Sequence, residues 1–159
     1  LAYGFGVVNK KTVSYACLDN VPLLNEINLT NEGDEDGQHP YSDEIPYCCT
    51  KDGVLALSKG LSRTLGRKNT SANTVITAFI DTPMTDWMME KRADQLGVSV
   101  DEVIRSFLND KRPHMTSQSR GKAAEVANMI AFFGQRELAS SNGAEYRVDA
   151  GISSYYLIE

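Results

Sequence analysis

Residues 47 to 66 read Tyr-Cys-Cys-Thr-Lys-Asp-Gly-Val-Leu-Ala-Leu-Ser-Lys-Gly-Leu-Ser-Arg-Thr-Leu-Gly, and this segment gives the clearest indication of the fold. Its apolar residues recur at steps of three and four, at Val54, Leu57, Leu61 and Leu65. This is the period of an amphipathic α-helix. Gly66 stands where a C-terminal cap is expected, so the sequence predicts a helix from Asp43 to about Leu65.

Three segments around this helix predict strands. They are Ile27 to Thr30, Asn73 to Phe79 and Tyr146 to Val148, which are short and rich in β-branched or aromatic residues. Strands that alternate with helices predict a parallel sheet with helices on its faces. The predicted fold class is therefore α/β, and 159 residues have room for one domain.

Two further helices and one loop complete this outline. Asp101 is a plausible cap for a helix through Leu108, and a second helix is expected from Lys122 to Phe133. Asn31 to Tyr41 is rich in Gly, Asp, Glu and Pro and predicts a loop. The acids from Glu32 to Glu35 are expected to be solvated there.

The composition excludes several classes of protein. A net charge of -5 and a pI near 5.1 argue against nucleic-acid binding, which needs clustered Lys and Arg. No apolar run approaches the roughly 20 residues that span a bilayer, and no signal-peptide pattern is seen, so we expect a cytoplasmic protein without membrane contact. Three cysteines, two of them adjacent, fit a reducing compartment and predict no metal site.

Tyr47 and Lys51 are candidates for catalysis. They are four residues apart on the predicted helix, so they share one face. An ammonium group near a phenol favours the phenolate, and we expect Lys51 to lower the pKa of Tyr47 from about 10. Carbonyl reduction needs such a group, because hydride arriving at carbon leaves charge on oxygen. An exposed polar pair on a helix would show the same spacing.

Four motifs together resemble the short-chain dehydrogenase/reductase family. Tyr47-xxx-Lys51 with the following helix resembles its active-site helix, and Asn73 to Met84 resembles the segment after its sixth strand. Ala124 to Ala127 and Asn142 to Gly151 resemble its last helix and strand. The resemblance implies a Rossmann-like parallel sheet with flanking helices, NAD or NADP as cofactor and a small-molecule substrate.

The resemblance also implies roles for individual residues. Tyr47 would be the catalytic acid/base, and Lys51 would assist it and hold the nicotinamide ribose. Ile80 and Thr82 match positions that contact the nicotinamide amide. Three residues depart from the family pattern: Thr77 and Ala78 stand where Pro and Gly are usual, and Ala150 stands where a Gly is usual.

The N-terminal segment resembles the cofactor loop of the enoyl-acyl-carrier-protein reductase branch. Gly6, Thr12, Ser14 and Ala16 follow its spacing, with Thr12 and Ser14 as substitutes. We expect a strand, a Gly-bearing turn and the start of a helix, where Gly6 and Thr12 would bind the cofactor phosphates. A polar turn without a ligand is the alternative.

About thirty residues separate this loop from Tyr47, whereas the family has several strand and helix units there. The sequence therefore predicts a single shortened domain, 1–159, incomplete in its nucleotide-binding half. The place of the family's catalytic Ser, thirteen residues before Tyr47, holds Asp34. Thr30 or Asn31, after the strand that resembles the one before the Ser, is the expected substitute.

The favoured function is hydride transfer between NAD(P) and a carbonyl or alcohol. A catalytically incomplete relative that binds or assembles is one alternative, and an enoyl-thioester reductase is another, although three residues between Tyr47 and Lys51 favour carbonyl chemistry. The family packs its active-site helix against copies of itself, so the resemblance implies a homo-oligomer, a dimer or tetramer.

Overall fold

The computed structural model describes residues 5–8, 11–14, 27–133, 138 and 140–153. Its strands are β1 (Phe5–Val8), β2 (Lys11–Ser14), β3 (Ile27–Asp34), β4 (Thr70–Thr77), β5 (Ile80–Asp81), β6 (Gly121–Lys122) and β7 (Glu145–Val148). Its helices are α1 (Ile45–Leu65), α2 (Pro83–Leu96), α3 (Val100–Lys111) and α4 (Ala123–Phe133). A 3-10 turn, Glu35–Gly37, follows β3 directly.

Five strands form the main sheet in the order β2-β1-β3-β4-β7. β3, β4 and β7 are parallel, with Asp34 opposite Thr77 and Thr77 opposite Val148. The predicted α/β class with a parallel sheet is therefore confirmed. The carboxyl ends of the three strands meet at one edge, the carboxyl edge of the sheet, where open α/β sheets bind their ligands.

Helices cover the two faces of this parallel part. On one face Leu61 and Leu65 of α1 pack against Leu29 and Ala72 of the sheet. On the other face α4 packs against Val75. Ala72 and Val75 point to opposite faces because side chains alternate along a strand. The helix predicted from Asp43 to Leu65 is confirmed, since α1 begins at Ile45 and ends before Gly66.

The N-terminal segment differs from the prediction. β2 follows β1 and pairs with it antiparallel, Gly6 lying opposite Val13 and Val7 opposite Thr12. The expectation that a helix starts at Thr12 is therefore wrong. The two β-branched residues of Lys11–Ser14, Thr12 and Val13, favour a strand once β1 offers a partner. Ala16 of the same pattern lies outside the described residues.

The loop predicted from Asn31 is also wrong at its start, because β3 continues to Asp34. All eight residues of β3 pair with β4. Gly33 has no room for a side chain, since a Cβ there would lie 2.9 Å from Cγ2 of Thr74. Tertiary pairing with a buried neighbour therefore overrides the loop-forming composition of this segment.

α2 and α3 form a separate layer beside the carboxyl edge. Both begin with a capping box, Thr82 with Thr85 and Ser99 with Glu102. Ser99, rather than the predicted Asp101, caps α3, because its hydroxyl accepts the N–H of Glu102. In the part of the chain that is described, no helix has the length and apolar character needed to cross a bilayer.

Candidate active site

Tyr47 lies in the first turn of α1, at the end of the helix that faces the carboxyl edge. Lys51 follows one turn later, and its Nζ lies 5.5 Å from the centroid of the Tyr47 ring. The two side chains lie close together because residues four positions apart share one face of a helix. Tyr47 is 39% exposed, so its phenol remains within reach of a ligand.

Asp34 is the hydrogen-bond partner of Tyr47. The phenolic hydroxyl donates to Oδ2 of Asp34 over 2.9 Å, across thirteen positions of the sequence. Asp34 is the last residue of β3, so the sheet carries it to the start of α1. It was not among the predicted site residues. The family spacing from Tyr47 pointed to this position and would have identified it.

The pKa of Tyr47 is raised above its ordinary value of about 10, whereas Lys51 was expected to lower it. Burial is the largest cause, followed by the charge of Asp34 and its hydrogen bond, both of which favour the neutral phenol. The expectation of a lowered pKa is therefore wrong. The sequence pattern contained the cation but not the carboxylate that lies closer to the hydroxyl.

Thr30, the predicted substitute for the catalytic Ser, lies away from Tyr47. It is 3% exposed inside β3, four residues before Asp34, which corresponds to about 13 Å along a strand. Asn31 is 1% exposed inside the same strand. β3 extends four residues beyond Thr30 before the chain turns toward α1, so the structure brings Asp34, and not Thr30, into hydrogen-bond contact with Tyr47.

The acids that follow Asp34 form a buried ion-pair network rather than a solvated loop. Nε of Arg112 lies 2.6 Å from Oε1 of Glu35, and its Nη2 donates to Oδ1 of Asp36 over 3.3 Å. Glu35 and Asp36 are 1% and 3% exposed. The prediction of solvated acids is thus wrong for Glu35, because Arg112, at the end of α3, supplies a cation that the local sequence does not show.

Carboxyl groups in this turn titrate at unusually high pH. Burial raises the pKa of Glu35 to about 6, with Arg112 opposing and Asp34 adding to the shift. Burial and the neighbouring carboxylates Asp34 and Glu35 raise the pKa of Asp36 to about 8. Oxygen atoms of all three acids lie within 4.8 Å of one another. Arg112 pairs with two of them, so a protein cation partly neutralises the cluster.

Gly37 allows this turn to lie against α1. A Cβ on Gly37 would lie 2.8 Å from the backbone nitrogen of Asp52 and 2.9 Å from the carbonyl carbon of Lys51. Such distances to backbone atoms cannot be relieved by a rotamer change. The glycine therefore permits the close approach that places Asp34 beside Tyr47.

The predicted nicotinamide contacts lie at the start of α2. Thr82 is the N-cap of α2, and its hydroxyl accepts the N–H of Thr85. The carbonyl oxygen of Ile80 accepts the hydroxyl of Thr85 over 2.7 Å. Both groups are thus held in one turn that follows β4, the strand next to β3. Gly6 and Thr12 lie in paired antiparallel strands, so their predicted place at a helix N-terminus is wrong.

Two cavities lie near the sheet. One of about 460 Å³ follows the ends of β4 and β7 and is lined by Ile80, Val148 and Ala150 among others. Ala150 has a φ of 53°, a conformation that favours the glycine usual there in the resembling family. A second cavity of about 580 Å³ lies beside α1 and is lined by Lys59 and Arg147 among others. Tyr47 lines neither and faces solvent at the carboxyl edge.

A family model described as "Enoyl-(Acyl carrier protein) reductase" matches residues 25–153. The chain is 30% identical over 124 residues to the uncharacterized oxidoreductase YvrD of Bacillus subtilis (strain 168), which covers 78% of this chain and 47% of that protein. It is 27% identical over 120 residues to the 3-oxoacyl-[acyl-carrier-protein] reductase MabA of Mycobacterium tuberculosis, and this match covers 76% of this chain and 42% of that protein. The chain thus spans about half the length of these relatives.

The fold is similar to that of solved enzymes. L-sorbose reductase from Gluconobacter frateurii, solved with NADPH and L-sorbose, matches with a TM-score of 0.75 and 20% identity. The match covers 81% of this chain and 48% of that structure. At this identity the likeness shows the fold alone, which is the predicted Rossmann-like sheet in shortened form.

Proposed function

The chain belongs to the short-chain dehydrogenase/reductase family, and from this premise we propose that it acts in an NAD(P)-dependent oxidoreductase. The proposed reaction moves hydride between the nicotinamide and a carbonyl or alcohol. The relatives' names support this chemistry, since MabA is named as a 3-oxoacyl reductase and the sorbose reductase was solved with NADPH.

One observation carries the proposal: the Tyr47 hydroxyl lies at the carboxyl edge with Lys51 beside its ring and Asp34 at 2.9 Å. A carbonyl carbon that receives hydride leaves negative charge on its oxygen, and a positioned phenol can give that oxygen a proton. Lys51 adds positive charge next to the phenol ring. Tyr47 is the proposed acid/base, and Lys51 is proposed to assist it.

The described residues fit one end of a dinucleotide better than the other. Ile80 and Thr82 lie in the turn after β4, where the family resemblance expects the nicotinamide amide. The bound cofactor would supply the hydride, and Lys51 would hold its ribose hydroxyls. The phosphate end is less well supported, because Gly6 and Thr12 belong to strands and not to the strand–turn–helix that binds phosphate.

Replacing Tyr47 by Phe tests the proposal. NADPH or NADH oxidation with ketone and aldehyde substrates is measured, and we expect kcat to fall by about 10²–10⁴-fold while cofactor binding, followed by fluorescence, is retained. Tyr41→Phe is the matched control, because it removes a phenolic hydroxyl from the neighbouring turn. Equal activity of the Tyr47 variant, or no saturable cofactor binding by the wild type, would refute the proposal.

Two other functions each rest on a specific observation. Enoyl-thioester reduction is favoured by the description of the family model, and it would be supported by NADH oxidation with a crotonyl thioester. A binding or assembly role without turnover is favoured by the carboxylate that holds the Tyr47 proton. Saturable cofactor binding without turnover of any of these substrates would support that role.

We also propose that the protein forms a homo-oligomer. Ile45 and Leu57 on α1 are 56% and 42% exposed, which supports packing of this helix against a copy in a dimer or tetramer. Light scattering after gel filtration measures the mass and tests this.

We also propose that residues 1–159 form one domain and that the protein acts in the cytoplasm, in line with the free thiols of Cys48 and Cys49.

A further inference from the structure

The hydrogen bond between Tyr47 and Asp34 can run in only one direction at a time. A phenol carries a single proton, and an ionised carboxylate can only accept. While Asp34 is ionised, the Tyr47 hydroxyl donates to Oδ2 of Asp34 over 2.9 Å. The proton that the proposed reaction requires is then directed at Asp34 and away from a substrate oxygen.

A protonated Asp34 would reverse this bond. Its carboxyl O–H could donate to Oη of Tyr47 at the same distance, since a hydroxyl oxygen accepts as well as donates. The phenolic hydrogen would then be free to point at a ligand above the carboxyl edge. The hydrogen bond between Tyr47 and Asp34 therefore has two states. Tyr47 is able to act as an acid toward a ligand only in the state in which Asp34 is protonated.

The surroundings of Asp34 favour its protonated form relative to an ordinary Asp. Burial raises the pKa of Asp34, and the bond from Tyr47, the charges of Lys51 and Arg112 and the backbone N–H of Asp36 oppose that shift. Within the same turn Glu35 and Asp36 add negative charge that Arg112 partly neutralises. Glu32, exposed on β3, acts on Tyr47 through space.

We propose that Asp34 positions Tyr47 and supplies its proton: protonated Asp34 donates to Tyr47 and frees the phenolic O–H for a substrate carbonyl, whereas ionised Asp34 withholds it. The inference rests on the proposed function. Where the family resemblance has a Ser, whose hydroxyl donates at every pH, this chain has a group that donates only when protonated.

The proton balance of the step is complete. A carbonyl carbon gains hydride, its π electron pair moves to oxygen, and that oxygen takes the proton of Tyr47. The phenolic oxygen in turn takes the carboxyl proton of Asp34, which becomes a carboxylate. Solvent returns a proton to Asp34, which lies at the open edge of the sheet. The net reaction is carbonyl, hydride and one proton to alcohol, and reduction should therefore weaken as the pH rises through the pKa of Asp34.

The bond itself can be tested without any substrate. The chain is labelled with ¹³C at the tyrosine Cζ, and Tyr47→Phe identifies the resonance of Tyr47. In the wild type we expect this resonance to show that the Tyr47 phenol stays neutral at pH values where an ordinary phenol, with a pKa of about 10, is already ionised. In Asp34→Asn the midpoint should fall by at least about one unit, because the carboxylate is lost and Lys51 remains.

Glu32→Gln is the matched control, since it removes one carboxylate from the same strand but not the hydrogen bond. We expect it to shift the Tyr47 midpoint less than Asp34→Asn does. Equal midpoints in the wild type and in Asp34→Asn would overturn the inference, whether or not the chain has activity. Asp34→Ser repeats the test with a smaller polar side chain, in case the Asn variant does not fold.

The pH profile of turnover tests the catalytic part. In the wild type kcat for carbonyl reduction should fall about tenfold per pH unit above the pKa of Asp34, and Asp34→Ser should remove this fall. An unchanged profile in Asp34→Ser would overturn the inference. A shifted Tyr47 midpoint with no turnover in any protein would instead refute the proposed function, so the two failures are distinguishable.

Discussion

The two ends of the parallel sheet are held together by different kinds of polar group. At the start of β7, Asn73 donates to the carbonyl oxygen of Ser141 over 2.7 Å and accepts the N–H of Ala144 over 3.1 Å. Asn142 likewise accepts the N–H of Ala72 and donates to the carbonyl oxygen of Ser62. We call these two side chains and their partners the amide end. The carboxyl edge instead carries Asp34, Glu35, Asp36 and Arg112.

The difference indicates that the amide end has a structural role and that the carboxyl edge is the place to look for function. Neutral amides satisfy backbone groups without a charge, so the amide end should hold β7 in place at any pH. The carboxyl edge keeps acids whose pKa values are raised by burial and by one another. Such perturbed groups are frequent at functional sites, although structural ion pairs produce them as well.

The largest effect on stability is expected from removing the ion pairs at the carboxyl edge. Arg112→Ala leaves the buried carboxyl groups of Glu35 and Asp36 without their cation and removes a guanidinium that lies 4.1 Å from the centroid of the Tyr41 ring. Removing one partner of a buried ion pair costs about 3–5 kcal/mol. We expect a loss of this size in the free energy of unfolding, measured by urea denaturation.

The neighbouring residue provides the control. Lys111 pairs with Asp43 over 3.4 Å, but their side chains are 45% and 62% exposed. Exposed ion pairs contribute little to stability, so Lys111→Ala should unfold close to the wild-type urea concentration. If both variants lost stability equally, the ion pair of Arg112 would not be the cause.

A smaller loss is expected from breaking the amide end. Asn73 is 1% exposed, and Asn73→Ala leaves the carbonyl of Ser141 and the N–H of Ala144 without this partner. An unsatisfied buried group costs about 1–3 kcal/mol, and we expect a loss of about 2 kcal/mol in the free energy of unfolding. The loss should be the same at about pH 5 and pH 8. A strongly pH-dependent loss would contradict the distinction between the two ends.

A further effect is the pH dependence of the wild-type stability. Glu35 and Asp36 keep their protons to about pH 6 and pH 8 in the folded chain but lose them near their ordinary pKa values when unfolded. The folded state therefore binds more protons between these limits, and stability falls as pH rises. We expect urea denaturation to show a lower free energy of unfolding at pH 8 than at pH 5.

Asp36→Asn sharpens this last prediction. An amide can still accept a hydrogen bond from Arg112 but does not titrate, so most of the decrease between pH 5 and pH 8 should disappear. Asp52→Asn is the comparison, because Asp52 is an exposed carboxylate on α1. A decrease that persists in Asp36→Asn would assign the pH dependence to other groups.

Elements whose pattern is local and repeated could be predicted from the sequence alone. The apolar period of Val54 to Leu65 was enough for α1, and the β-branched run around Val75 was enough for β4, because a helix face and a buried strand each impose their own spacing. The pair of Tyr47 and Lys51 followed from the same spacing. Family motifs placed these elements in order and indicated the parallel sheet.

The charged groups that meet in the folded chain could not be predicted from the sequence. Asp34 reaches Tyr47 because β3 extends to its full length against β4, and Arg112 reaches Glu35 across 77 positions of sequence because α3 ends beside the turn. Neither contact corresponds to a regular spacing of residues in the sequence. Burial then sets the pKa values, since the cost of a charge depends on the groups that surround it in space and not on its neighbours in sequence.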